Sequence, residues 1–249
     1  MKSIRIFVEE PLSAQTELEL EQSASNHLLK VLRLKEGDGI ILFNGDGNEY
    51  YSHIEIVKGK KALISVDSSA EVNLESPLKL SLCQGLAKND KMDLAIQKAT
   101  ELGICSVTPI ITERTQFTYK GNRLEKKLQH WQKIIISACE QSGRTVLPQL
   151  NPPVAISDFL QQQKSGFILD PYSSASVIPT DNSGLSELKN SRGEIDILIG
   201  PEGGFTDNEV KSAKENGMRP LVLGKRILRT ETAAMAAITM LQTLFGDFG

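Results

Sequence analysis

The chain has 249 residues, 40% of them hydrophobic and 24% charged. That suffices for one large domain or two small ones, each with its own core. A net charge of −3 excludes indiscriminate binding of nucleic acid by bulk electrostatics. No apolar run reaches membrane-spanning length, and the N-terminus MKSIRIFVEE lacks the apolar core of a signal peptide, so a cytoplasmic protein without membrane contact is expected. Cys83, Cys105 and Cys139 form no CxxC and fit no zinc or disulfide scheme, which points to a reducing compartment. His27, His53 and His130 have no metal-ligand company, and no metal is expected.

In chain order, the first seventy residues read as mostly β. Ile4–Val8, Gly39–Asn44, Tyr50–Val57 and Lys61–Val66 are short and β-rich, with Asn44-Gly-Asp-Gly47 as a hairpin-type turn. One helix interrupts them around Asn26–Leu34. Short strands separated by turns suggest a small barrel over residues 1–70. The polar stretch Asp67–Pro77 is the best domain boundary, with residues 71–77 as linker and 71–249 as a second domain.

Beyond it, strands and helices alternate, which implies an α/β domain with a largely parallel sheet. Strands are expected at Leu78–Leu86, Cys105–Ile111, Gly166–Asp170, Ile195–Gly200 and Pro220–Gly224. The intervening helices cover about Asp90–Leu102, stopped by Gly103, and Arg123–Ser142, with Leu124, Leu128, Trp131, Ile135 and Ala138 as its buried stripe. Between Glu113 and Arg144 seven bases outnumber three acids, giving +4; this is a solvated helix face or a phosphate-contacting patch. Thr206 and Glu209 form a capping box that opens a helix ending at Gly217. The last helix, Glu231–Phe245, is small or apolar nearly all round. Such a helix is either central to its own core or shared between that core and a second subunit.

Two glycine loops carry the functional signal. In ILIGPEGGFTDNEV (Ile197–Val210) a strand runs into Gly200, Pro201, Gly203 and Gly204, and a helix starts at once. The spacing is neither GxGxxG nor GxxxxGK[ST], so neither a dinucleotide nor a triphosphate is favoured. VLGKRILRTETAAM (Val222–Met235) repeats the order of strand, glycine, short connection and helix. Thr230 can cap that helix and Glu231 suits its dipole, whereas Arg229 has no obvious structural task.

KATELG (Lys98–Gly103), CEQSGR (Cys139–Arg144), IGPEGGF (Ile199–Phe205) and LGKRILRTETA (Leu223–Ala233), in this order, resemble the 16S ribosomal RNA uracil-N3 methyltransferases of the SPOUT class. HLLKVLR (His27–Arg33) resembles that family's first domain. The resemblance spans essentially the whole chain. It implies an N-terminal PUA-like β-barrel that helps grip RNA, a C-terminal α/β domain with a trefoil knot, and a homodimer. It implies S-adenosylmethionine as cofactor and 16S ribosomal RNA, or the small ribosomal subunit, as partner. Backbone and side chains of Leu198, Ile199, Gly200, Glu202, Gly203, Gly204, Leu223, Gly224, Ile227 and Leu228 would hold the cofactor, with Leu169 and Asp170 on a third loop. Glu202 either binds the ribose or braces its loop.

Arg229 and Glu231 are the candidate catalytic pair, a cation for the uracil anion and a base for its proton. Arg5, Arg33, Lys88, Lys91, Arg114 and Arg144 match basic positions of the family and are candidate RNA contacts. The alternative is a non-catalytic RNA-binding dimer on the same fold. The retention of Gly203, Gly204 and Gly224 favours catalysis.

Overall fold

The computed structural model describes residues 4–59, 61–162, 166–173, 187 and 193–249. Two compact units emerge. The first comprises Met1–Glu75 with Cys139–Leu147, and the second comprises Ser76–Ala138 with Pro148–Gly249.

The first unit is built on a mixed five-stranded sheet of order β1-β3-β4-β5-β2 among the described residues. Its strands are β1 (Ile4–Phe7), β2 (Thr16–Glu19), β3 (Gly39–Phe43), β4 (Asn48–Lys58) and β5 (Lys61–Glu71). β1 runs parallel to β3, and the remaining pairs are antiparallel. Alternation sets the core: Ala62, Ile64 and Val66 of β5 are buried, with Leu42 of β3 and Ile54 of β4 in the same cluster. The Asn44–Gly47 turn joins β3 to β4 as expected, and Asp46 accepts a 2.7 Å bond from the Tyr50 hydroxyl.

Three features differ from the sequence reading. β2, sequence TELE, carries no apolar alternation, yet it pairs with β5 from Thr16↔Val66 to Glu19↔Leu63. The helix placed at Asn26–Leu34 is a short α1 (Gln22–Asn26) continuing as a π-helical turn (His27–Val31), with Arg33 then in a left-handed conformation at φ 58°. β5 continues through the polar residues Asp67–Glu71, because backbone pairing with β4 as far as Glu71↔Asn48 does not depend on apolar side chains.

Every strand pairing described in the second unit is parallel. The order is β12-β10-β11-β6-β7-β8, with β9 also on β7. The strands are β6 (Leu80–Gly85), β7 (Ser106–Ile111), β8 (Gln149–Leu150), β9 (Val154–Ala155), β10 (Gly166–Leu169), β11 (Ile195–Ile199) and β12 (Met218–Leu221). β6 and β11 are buried along their whole length, as expected for parallel strands covered on both faces.

The helices are α2 (Asn89–Glu101), α3 (Asn122–Ser142), α4 (Ile156–Gln162), α5 (Asp207–Glu215) and α6 (Thr230–Phe245). Trp131, Ile135 and Ala138 of the α3 stripe are buried, and Leu124 and Leu128 are half-buried. The capping box of α5 forms as read, with Thr206 N–H donating to Glu209 Oε2 at 2.8 Å. α6 packs on α2 and across β6 and β11. β12 ends at Leu221, so Val222–Gly224 belong to the following loop rather than to a strand. The short β8, β9 and α4 give almost no periodic signal in the sequence.

Parallel pairing has one consequence for function. The loops after β6, β7, β10, β11 and β12 all leave the same edge of the sheet. β11 lies between β10 and β6, so the strand order reverses there, the position at which open α/β sheets bind ligands.

Candidate active site

At that edge lies a cavity of about 1040 Å³, walled by the two glycine loops, the end of β10 and the start of α5. Of the residues expected to hold a cofactor, Leu169, Asp170, Ile199, Gly200, Glu202, Gly203, Gly204, Leu223, Gly224, Ile227 and Leu228 border it. Leu198 does not. It is fully buried in a core cluster with Cys83, Ile110 and Ile168, because neighbouring residues on a strand face opposite ways. Phe205, Val210 and Leu221 add apolar wall that the sequence reading missed.

The first loop is shaped by close backbone approach. Gly204 takes φ +67°, and its N–H closes a turn on Pro201 O at 2.8 Å. A Cβ at Gly200 would lie 3.1 Å from Gly204 Cα, and one at Gly203 would lie 3.2 Å from Arg114 Cβ. The tightest contact comes from outside the loop. A Cβ at Gly85, the last residue of β6, would fall 2.5 Å from Pro201 N. Gly85 lies in QGL, which resembles no ligand motif, so its importance appears only once β6 and β11 are paired.

Buried polar atoms join the two loops. The Thr230 hydroxyl donates to Gly200 O at 2.6 Å and accepts from Gln84 Nε2 at 2.8 Å. Gln84 is fully buried and Thr230 nearly so. This corrects the capping role expected for Thr230. The N-cap of α6 is Arg229, which makes no side-chain cap bond, and the Thr230 hydroxyl is committed to the first loop.

Glu202 braces its loop: Oε1 accepts the Lys88 backbone N–H at 3.0 Å and pairs with Lys91 Nζ at 3.2 Å. Partial burial works to raise its pKa, but the Lys88 N–H and the Lys91 ammonium more than offset this and hold the carboxyl below its ordinary range. Asp170 behaves alike. Burial again pushes upward, and the Ser173 hydroxyl at 2.6 Å, Lys214 Nζ at 3.0 Å and the Tyr172 N–H at 3.1 Å keep it low. Both carboxylates are therefore ionised and poor proton acceptors at neutral pH.

Arg229 is exposed and borders the cavity, whereas Glu231 does not. Glu231 is buried in the first turn of α6, and its Oε2 has no hydrogen-bond partner among the described residues. Arg114 and Lys91 border the cavity, Arg114 donating to Gly203 O at 2.7 Å. Lys88 and Arg33 are exposed. Arg5 and Arg144 are enclosed within the first unit. Arg5 pairs with Glu49, donates to Arg144 O at 3.1 Å and lies over the Phe43 ring; Arg144 pairs with Glu75. Their guanidinium groups hold that unit together rather than facing solvent. No cluster of three or more metal-binding side chains occurs among the described residues.

Residues 74–242 match the model of an RNA methyltransferase domain, and residues 20–67 match an RNA methyltransferase PUA domain. The chain belongs to the RNA methyltransferase family. The methyltransferase is 35% identical over 243 residues to ribosomal RNA small subunit methyltransferase E of Buchnera aphidicola, covering 98% of this chain and 97% of that one. A methyltransferase from Legionella pneumophila, solved with S-adenosylmethionine bound, superposes with a TM-score of 0.91 at 39% identity, covering 99% of this chain and all of that one. Ribosomal RNA small subunit methyltransferase E of Neisseria gonorrhoeae, also bound to S-adenosylmethionine, gives 0.88 at 34% identity with the same coverage. No helix among the described residues of the methyltransferase is long and apolar enough to cross a membrane.

Proposed function

We propose that this methyltransferase places a methyl group on N3 of a uridine in 16S ribosomal RNA, with S-adenosylmethionine as donor. The observation that carries the reading is the convergence of both glycine loops and Arg229 on one cavity with an apolar wall. The residues fit this cofactor. Ile199, Leu223, Ile227 and Leu228 offer an apolar slot for adenine, and loop backbone between Gly200 and Gly204 offers hydrogen bonds. When bound, the cofactor supplies an electrophilic sulfonium methyl.

N3 carries a proton at neutral pH and lies on the pairing edge of uracil, so the base must be unpaired or flipped out. Arg229 at the cavity wall stabilises the N3 anion and thereby eases loss of that proton. Glu231 does not border the cavity, and Asp170 and Glu202 are held ionised by their own partners. The proton accordingly leaves to solvent, and Glu231 stays in the first turn of α6, outside the cavity. Methylation then quickens as pH rises through neutrality, with no carboxylate limb.

In this reading residues 1–70 form a PUA-like barrel that grips RNA, and residues 71–249 form a SPOUT domain after a linker at 71–77. In the same reading the two glycine loops, joined where the Thr230 hydroxyl donates to Gly200 O, belong to a trefoil knot. Two copies would pair through the outward face of α6, where Leu244 is exposed and Met235, Ala236 and Met240 are half-buried. A cytoplasmic setting suits such a substrate.

The test has two parts. Calorimetry should show binding of S-adenosylmethionine and S-adenosylhomocysteine but not of NAD or ATP. Mass mapping of 16S ribosomal RNA from cells with and without the protein should show one N3-methyluridine that depends on it. Absence of that difference would overturn the assignment.

A further inference from the structure

The charges around the cavity do not balance. Lys91, Arg114, Lys211, Lys214, Arg226 and Arg229 border it, against Asp170, Glu202, Asp207 and Glu215. Lys91 is matched by Glu202, Lys214 by Asp170 and, more loosely at 3.9 Å, Lys211 by Glu215. Arg114, Arg226 and Arg229 remain against Asp207 alone. Lys225 adds another exposed cation, and Lys-Arg-Ile-Leu-Arg (225–229) contains no carboxylate. Among the described residues Lys225, Arg226 and Arg229 have no ion-pair partner, although the chain as a whole carries −3.

A cofactor with a sulfonium centre does not account for this surplus. Its reacting atom is positive, and unmatched guanidinium groups nearby disfavour it unless an anion arrives with the other substrate. The surplus also has a layout. Along the strand order, the cationic loop follows β12 at one edge of the sheet and Arg114 follows β7, on the far side of the β10, β11 and β6 loops that carry Asp170 and Glu202. Cations thus flank an internally neutralised centre, a pattern suited to a backbone with repeated negative charges.

We infer that Lys225 and Arg226 bind phosphates of the single-stranded RNA segment that carries the target nucleotide. This deepens the proposed function and rests on it. Arg229 keeps its role at the base, and the two preceding cations hold the strand beside it. The exposed Ile227, at 71% accessibility, lies between them and gives the loop an apolar surface next to its charges.

The experiment is salt-dependent binding of unmethylated small-subunit ribosomal RNA to the full chain and to Lys225→Gln/Arg226→Gln. Both positions are exposed, so the variant should fold, and its circular dichroism should match that of the parent. Each phosphate contact to a single strand contributes about 0.7 to the slope of log K against log salt, so the slope should fall by about 1.4. The cofactor dissociation constant should stay within about twofold. Arg226→Lys should restore most of the slope, because phosphate neutralisation needs charge more than a planar fork. An unchanged slope would overturn the inference. So would a loss of about tenfold or more in cofactor affinity with RNA binding intact, which would assign the pair to the cofactor carboxylate. Failure of the parent to bind S-adenosylmethionine would instead sink the proposed function, and the slope would still report on the loop.

Discussion

At the scale of single residues, the cavity depends on atoms with no room to move. Replacing Gly85 by Ala puts a methyl 2.5 Å from Pro201 N, so the first loop or the end of β6 must shift. We expect Gly85→Ala to cost about 1–3 kcal/mol of stability, as overpacking does, and to weaken cofactor binding about tenfold. Thermal denaturation and calorimetry would read the two effects separately. Thr230→Val keeps the shape of the side chain but removes the donor to Gly200 O and the acceptor for one Gln84 Nε2 N–H, the other still reaching Gly85 O, at about 1–3 kcal/mol, whereas Thr230→Ser should lose far less. Cys139 provides a check on burial. Its thiol is pushed up to about 11, chiefly by desolvation, and Arg144 and Arg5 oppose this only in part. Cys139 in the native protein should therefore resist alkylation at pH 8 and react on unfolding. Mass spectrometry of the labelled chain would show the difference. The glycines of the loop were legible in the sequence. Gly85 and Gln84 were not, because neither belongs to a local motif and both act through strand pairing.

At the scale of elements, one carboxylate ties α2 to α3. Asp93 accepts Trp131 Nε1–H at 3.1 Å, contacts His130 Nε2 at 2.7 Å and pairs with Lys127 at 3.3 Å. Asp93→Ala should cost about 1–2 kcal/mol in urea denaturation, below the value for a dry site because the carboxylate is partly exposed. Trp131 is the only tryptophan and is fully buried, so its emission should shift in the variant. In the first unit the end of β5 has its own pH signature. A hydrogen bond that His53 donates to the Asp67 carboxylate raises the His53 pKa, burial slightly opposes it, and Glu55 assists. A raised folded pKa favours folding below the unfolded pKa, and the contribution fades as pH rises through the folded one. Nuclear magnetic resonance should show His53 titrating above its ordinary value, and Asp67→Asn should bring it down. Helices with a clear apolar stripe, such as α3, or a capping box, such as α5, were readable to within a residue or two. β2 and the far end of β5 were not, since backbone bonds to neighbouring strands create them without apolar alternation.

At the scale of the whole molecule, the proposed dimer makes a direct prediction. Leu244→Asp on the outward face of α6 should lower the mass seen by sedimentation, while the secondary structure of each chain is retained. The sequence alone determined that strands and helices alternate after the first seventy residues, that two glycine loops follow strands, and that their spacing suits no phosphate cradle. These properties are local: periodicity, turn chemistry and capping act over a few neighbours. Only the tertiary structure decided that two loops well apart in the chain share one wall, that Thr230 ties them instead of capping its helix, and that Glu202 is bonded to Lys88 and Lys91 of another loop and helix. It alone separated the candidate cations into the enclosed Arg5 and Arg144 and the exposed Arg33, Lys88 and Arg229. Pairing and burial across the sheet set those outcomes, since a charge or a hydroxyl acquires its role from neighbours far away in the chain.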